Sequence, residues 1–151
     1  MKIKCFSIPP VFNSAMLDNP RKVIVKTMTV KRSVGDVFDF FEDPKSMEMG
    51  GSAKNVAKGR DGWWTFDHVV AGRAKMKHMP AREAGVLDHV FSGAGMEWKV
   101  YVRIIPNHGG ATVTWTFIRP GILTDGQFEK QMEGFDREIA LWKKALEGRQ
   151  N

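Results

Sequence analysis

The segment VLDHVF, from Val86 to Phe91, sets an acid and an imidazole side by side in the middle of an apolar run. Successive side chains of a strand point to opposite faces, so Asp88 and His89 must face opposite sides of any sheet they join. A second imidazole, His78, closes the lysine-rich segment RAKMKH upstream. Imidazole titrates near neutrality, and two of them on one face have the chemistry of a general acid and base. Two quieter readings stand beside that one: each ring bonds a carbonyl, hydroxyl or water inside a core, or the pair orients a mostly apolar ligand. A metal site drawn from His68, His78 and His89 is a further alternative. It has no HExxH-type spacing behind it, and His68 is expected near a turn, so no metal is assigned.

The remaining chemical inventory is sparse. Cys5 is the only cysteine, which excludes an intramolecular disulfide framework and a multi-cysteine zinc site. The serines fall at helix caps, turns and strand ends, and no set of nucleophile, base and orienting group is recognisable. No cofactor is implied, and catalytic residues stay unknown beyond the candidates His78 and His89.

Elements that would position these groups follow from the patterning. Val23 to Arg32 is rich in β-branched residues and reads as a first strand. Ser33 is a natural N-cap, after which Val34, Val37, Phe38 and Phe41 form one helical stripe that Pro44 ends. A short helix is expected over Ser46 to Met49, broken by Gly50 and Gly51. From Val56 onward, short runs separated by turn residues predict an antiparallel meander of about six strands. Thr124 and Gln127 have capping-box spacing. They open a long helix whose seam is Phe128, Met132, Phe135, Ile139, Trp142 and Leu146.

Register assigns the faces. Pairing Met79 with Val86 across a connection from Pro80 to Gly85 sets His78 opposite Leu87, Met76 opposite His89, Ala74 opposite Phe91 and Lys77 opposite Asp88. Continuing with His89 opposite Val100 and Ile104 opposite Val113 adds Trp98, Val100, Val102, Val113, Trp115 and Phe117 to the same face. Four strands then agree on one apolar face, which a slip of one residue would invert. His89 faces the long helix with His78 diagonal to it, and Asp88 is a surface carboxylate within reach of Lys77, where an isolated ion pair contributes little. Trp64 and Phe66 are expected inside. Trp63 is then outside or under the residues preceding the first strand, with Ile8, Val11 or Phe12 as its cover.

Composition narrows the function classes. The chain has 151 residues, 42% hydrophobic and 26% charged, the texture of one folded water-soluble domain. Residues 1–22 read as an N-terminal extension and 23–148 as a single domain. No apolar run approaches the roughly 20 residues of a membrane span. The N-terminal segment, interrupted by Ser7, Pro9 and Pro10, does not read as a secretory signal, so a cytoplasmic location is expected. The net charge of +6 favours acidic partners in general. No basic cluster interleaved with exposed aromatics marks a nucleic-acid surface.

The order of strand, two short helices, meander and closing helix resembles the helix-grip arrangement of the START-like superfamily, also called SRPBCC. GWWTF, the strand ending MKH, GVLDHVF, VYVRIIPNHGGATVTWTFIRP and the helix beginning near DGQFE are similar to a bacterial polyketide cyclase/dehydrase-like subgroup. The resemblance covers Val23 to Leu146. It implies an α+β fold, a seven-stranded antiparallel sheet curved around the C-terminal helix, with a cavity between them holding His78 and His89. It assigns no reaction, because a shared fold hosts many functions.

Three functions are therefore carried forward. The first is binding of a small hydrophobic or aromatic ligand, or a lipid. Its expected walls are Trp64, Phe66, Met76, His78, Leu87, His89 and Phe91, with Trp98, Val100, Val102, Trp115, Phe117, Met132 and Phe135. The second is a cyclase or dehydratase using His89 and His78. The third is a protein-interaction role of the chaperone-activator type through Arg73, Lys75, Lys77, Lys99 and Arg103. A homodimer is permitted by the broad sheet edge.

Overall fold

The computed structural model describes residues 19–149. Strand β1 (Val23–Val30) leads into helix α1 (Val34–Glu42), whose Ser33 hydroxyl accepts from the Asp36 backbone N–H at 3.1 Å. Helix α2 (Ser46–Met49) follows, and then six strands: β2 (Ala53–Lys58), β3 (Trp64–His68), β4 (Gly72–Ala81), β5 (Val86–Gly93), β6 (Met96–Asn107) and β7 (Gly110–Ile118). Helix α3 (Asp125–Glu147) closes the described chain. Its capping box is complete: Thr124 N–H donates to Gln127 Oε1 at 2.8 Å, and Gln127 N–H donates to Thr124 Oγ1 at 3.2 Å.

The strands form one antiparallel sheet in the order β1-β7-β6-β5-β4-β3-β2. With α3 laid along its inner face, this is the helix-grip fold. Helix α1 packs against β5, β6 and β7, and α3 lies against β1 and α2. The main core joins the inner faces of β1, β6 and β7 to Val37, Phe38, Phe40 and Phe41 of α1 and to Phe128, Met132, Trp142 and Leu146 of α3. Aromatic rings link the layers: Trp115 stacks on Trp142 at 5.8 Å between ring centroids, and Phe41 meets both edge-on. Gly50 is required beneath Trp142, since a Cβ there would lie 2.7 Å from the indole nitrogen. That nitrogen donates to the Ser46 carbonyl at 2.7 Å, fixing α2 on α3.

The expected pairings of His89 with Val100 and Ile104 with Val113 hold. The pairing of β4 with β5 is displaced by two residues: His78 lies opposite His89, Met76 opposite Phe91 and Ala81 opposite Val86. The turn is tighter than expected, because β4 runs on through Pro80 to Ala81 and a single 3-10 turn, Arg82–Ala84, reverses the chain at Gly85. Gly85 has φ of 64° and sits where a Cβ would be 2.2 Å from the Ile104 carbonyl oxygen, so only glycine fits. A two-residue displacement keeps every side chain on its face while changing its partner. The imidazoles are therefore directly opposed rather than diagonal.

Asp88 also departs from expectation. It does face outward, but Met79 rather than Lys77 is its partner on β4. Only 9% of its surface is exposed. Its Oδ1 accepts from the Val102 backbone N–H at 2.8 Å and from Arg103 at 2.6 Å, so the carboxylate completes the β5–β6 ladder. The proposed covering of Trp63 by Ile8, Val11 or Phe12 lies outside the described residues. Trp63 is half-buried, and Lys75 Nζ stands 4.5 Å from its ring. No helix of the described residues is long and apolar enough to cross a membrane.

Candidate functional site

A cavity of about 550 Å³ lies between the inner face of the sheet and α3. Strand alternation builds its floor: Met76 and His78 from β4, Leu87, His89 and Phe91 from β5, and Trp98, Val100 and Val102 from β6. Trp115 and Phe117 of β7 extend it under the helix, which contributes Met132 and Phe135 from above. Twelve of the fourteen residues expected from sequence thus line one space.

Trp64 and Phe66 do not. They belong to β3, next to the sheet edge, where the inner face builds a separate small core. Phe66 is fully buried there with Ala53, Ala74 and Met76. Trp64 is half-buried opposite Met76.

The opening is marked by lining residues that remain solvent-exposed. Val69 and Val70, in the turn between β3 and β4, are 65% and 79% exposed. Ile122, before α3, is 62% exposed, and Leu141, on α3, is 45% exposed. A hydrogen bond from Val69 N–H to the Ser52 carbonyl, 2.9 Å, ties this turn to the loop entering β2.

Polar groups occupy two places in the cavity. In the interior, the rings of His78 and His89 meet edge-to-face with centroids 5.6 Å apart. Burial holds the His78 pKa down to about 4. Burial, reinforced by repulsion from His78, holds His89 down to about 3, against the opposing influence of a hydrogen bond to the Leu87 backbone and the charge of Asp88. Both rings are neutral at pH 7. Since a carbonyl can only accept, His89 donates one ring N–H to Leu87, which leaves its other nitrogen an acceptor.

Nearer the opening, His68 Nδ1 accepts from the backbone N–H groups of Val70 and Ala71 at 3.2 and 3.0 Å. In the neutral ring the proton then sits on Nε2. Burial lowers its pKa as well. Among the described residues, no three His, Cys, Asp or Glu side chains form a group able to hold a metal ion, so His68, His78 and His89 do not assemble as ligands.

Sequence reasoning missed Glu138. Its carboxyl lines the cavity, accepts a hydrogen bond from Ser52, and is pushed up to about 7 by burial. The signal was present in the spacing, because Glu138 follows Phe135 by three residues and precedes Trp142 by four. It therefore sits on the edge of the apolar seam.

The outer face of the sheet carries the five cations considered for protein interaction, and four of them are engaged by other side chains of the chain. Arg73 pairs with Asp67 at 3.2 Å, Arg103 with Asp88, and Lys75 and Lys99 stand over Trp63 and Tyr101.

Similar folds occur among solved structures. Protein MLL2253 from Mesorhizobium loti superposes with a TM-score of 0.68 at 12% identity, covering 86% of this chain and 100% of its own. The allergen Ara h 8.0201 gives 0.62 at 13%, covering 85% and 99%. Aha1 from Colwellia psychrerythraea, described as a dimer, gives 0.65 at 14%, covering 83% and 96%. These superpositions establish a shared helix-grip fold. No family model matches the sequence, and no curated protein sequence does.

Proposed function

We propose that this protein binds a small, mostly apolar or aromatic molecule in the cavity between the sheet and α3. The observation that carries the reading is an apolar chamber of about 550 Å³, a size suited to a small-molecule ligand, containing a few inward-facing polar groups. Large walls such as Trp98, Trp115, Phe117 and Phe135 offer apolar area, while His78 and His89 offer neutral hydrogen-bonding nitrogens. The binding domain in this reading is residues 23–148, with residues 1–22 as an extension to it.

Native mass spectrometry of freshly purified protein, with extraction of whatever is carried along, tests the reading. A passenger at one per chain, lost in Val100→Trp, is the expected result. A clean apo mass with no shift across a panel of aromatic and lipid-like compounds would reject it.

An acid–base mechanism shared between His78 and His89 is less well supported by the electrostatics. With both rings held neutral, each can accept a proton at pH 7 but neither is an imidazolium able to give one up. A cyclase or dehydratase built on this cavity would need another acid, and Glu138 is the lining group whose pKa lies near neutrality.

A further inference from the structure

Resting on the cavity reading above, we propose that the bound molecule carries a cationic nitrogen, and that Glu138 is the group that receives it.

The argument begins with what surrounds the carboxyl. Glu138 is half-buried in the cavity wall and has no ion-pair partner among the described residues; the Ser52 hydroxyl is its hydrogen-bond donor. Arg137, the next residue of α3, also lines the cavity. Its guanidinium turns back along the helix, within 3.6 Å of the Cβ position at Gly134. The loop before β2 presents Ser52 and no charge. The end of β3 presents His68, which burial keeps in its neutral form with Nδ1 held by backbone N–H groups. On α2, Glu48 is engaged with the Val56 N–H at 3.0 Å. From the sheet floor, His78 and His89 bring no charge at neutral pH.

The cavity thus contains an acid without a counter-ion and three imidazoles whose environment keeps them from becoming one. A buried carboxylate requires a partner charge or gives up its own. Burial moves Glu138 partway to the latter, pushing its pKa up to about 7. An ammonium beside it would restore the ionised form. Phe135, one helical turn before Glu138, is a partly exposed aromatic on the same wall, and aromatic rings attract cations. Binding follows a simple proton balance: the protonated fraction of Glu138 loses its proton to solvent, and the carboxylate accepts hydrogen bonds from the incoming ammonium.

Two probes of the same shape test this by calorimetry: 1-naphthylmethylamine, a cation at pH 7, and 1-naphthylmethanol, its neutral counterpart. The amine is expected to bind about tenfold or more tightly than the alcohol at pH 7. That preference should vanish in Glu138→Gln, through a loss of amine affinity. At pH 6.5, comparing buffers of different ionisation enthalpy should register proton release with the amine and none with the alcohol. If the alcohol binds as well as the amine, or if the preference survives in Glu138→Gln, the cation site is wrong while the cavity reading stands. If neither probe binds, both fall together.

Discussion

The two ends of the inner sheet face have the same alternating pattern and opposite outcomes. At the end covered by α1, Val30, Ile104, Ala111, Val113 and Phe38 are buried to near completion against the helices. At the end that holds the cavity, His78, His89, Phe91 and Met96 stay only partly buried and face open space. The difference lies in the covering elements. Helix α1 packs on β5, β6 and β7 at one end, and α3 packs on β1 and α2, which leaves the inner face of β4 and the part of β5 from Leu87 to Phe91 facing the cavity. A hydrophobic strand pattern therefore specifies a face but not its filling.

The contrast breaks most sharply at the filled end. Phe38→Ala should cost about 3 to 5 kcal/mol in denaturant unfolding, whereas Phe91→Ala, part of whose surface already meets the cavity, should cost about 1 to 2 kcal/mol. Equal costs would mean that the open end is as tightly packed as the other.

Acid sharpens the comparison next. The folded pKa values of His78 and His89 lie below the ordinary 6.5, so the unfolded chain binds protons first as pH falls. Their contribution to stability is complete above about pH 6.5 and is progressively lost as pH falls toward 4 and 3. His89→Leu should recover about 3 kcal/mol at pH 4 relative to its effect at pH 7, read from unfolding curves at both pH values. A pH-independent effect would place His89 in contact with bulk solvent.

Asp88→Ala should cost about 1 to 3 kcal/mol, because the Val102 N–H and the Arg103 guanidinium lose their acceptor. Hydrogen exchange at Val102 would accelerate with it. Glu138 runs in the opposite sense to the histidines. Its folded pKa lies above the ordinary 4.5, so its contribution is present below about pH 4.5 and lost as pH rises through 7. Glu138→Gln should therefore raise the melting temperature at pH 8 and leave it nearly unchanged at pH 5. The gain is about 1 to 2 kcal/mol once partial exposure is allowed for.

Alternation made the faces of β5, β6 and β7 legible, because a burial pattern with a period of two leaves no choice of side. It could not settle which residues oppose one another across β4 and β5, since a two-residue displacement preserves every face. That choice rested on Gly85 and one 3-10 turn, whose tightness depends on the Ile104 carbonyl, distant in sequence. Asp88 was placed correctly on the outer side, yet its burial depends on Arg103 and on a missing ladder partner, which strand periodicity does not encode. Glu138 was hidden by reading the α3 seam as apolar residues only, although its spacing already set it at the seam's edge. Trp64 and Phe66 face the right way, but Phe66 is enclosed in the small core with Ala53, Ala74 and Met76, and His68 at the far end of the same strand is the β3 residue that reaches the cavity.

Fluorescence titration with N-phenyl-1-naphthylamine, a neutral apolar probe, tests the open end most directly, run on the wild type and on Val100→Trp, whose indole would occupy the cavity floor. The account predicts saturable binding at one probe per chain in the wild type, lost in a Val100→Trp protein that still unfolds cooperatively. Binding of equal strength in both proteins, or none in the wild type, would contradict it.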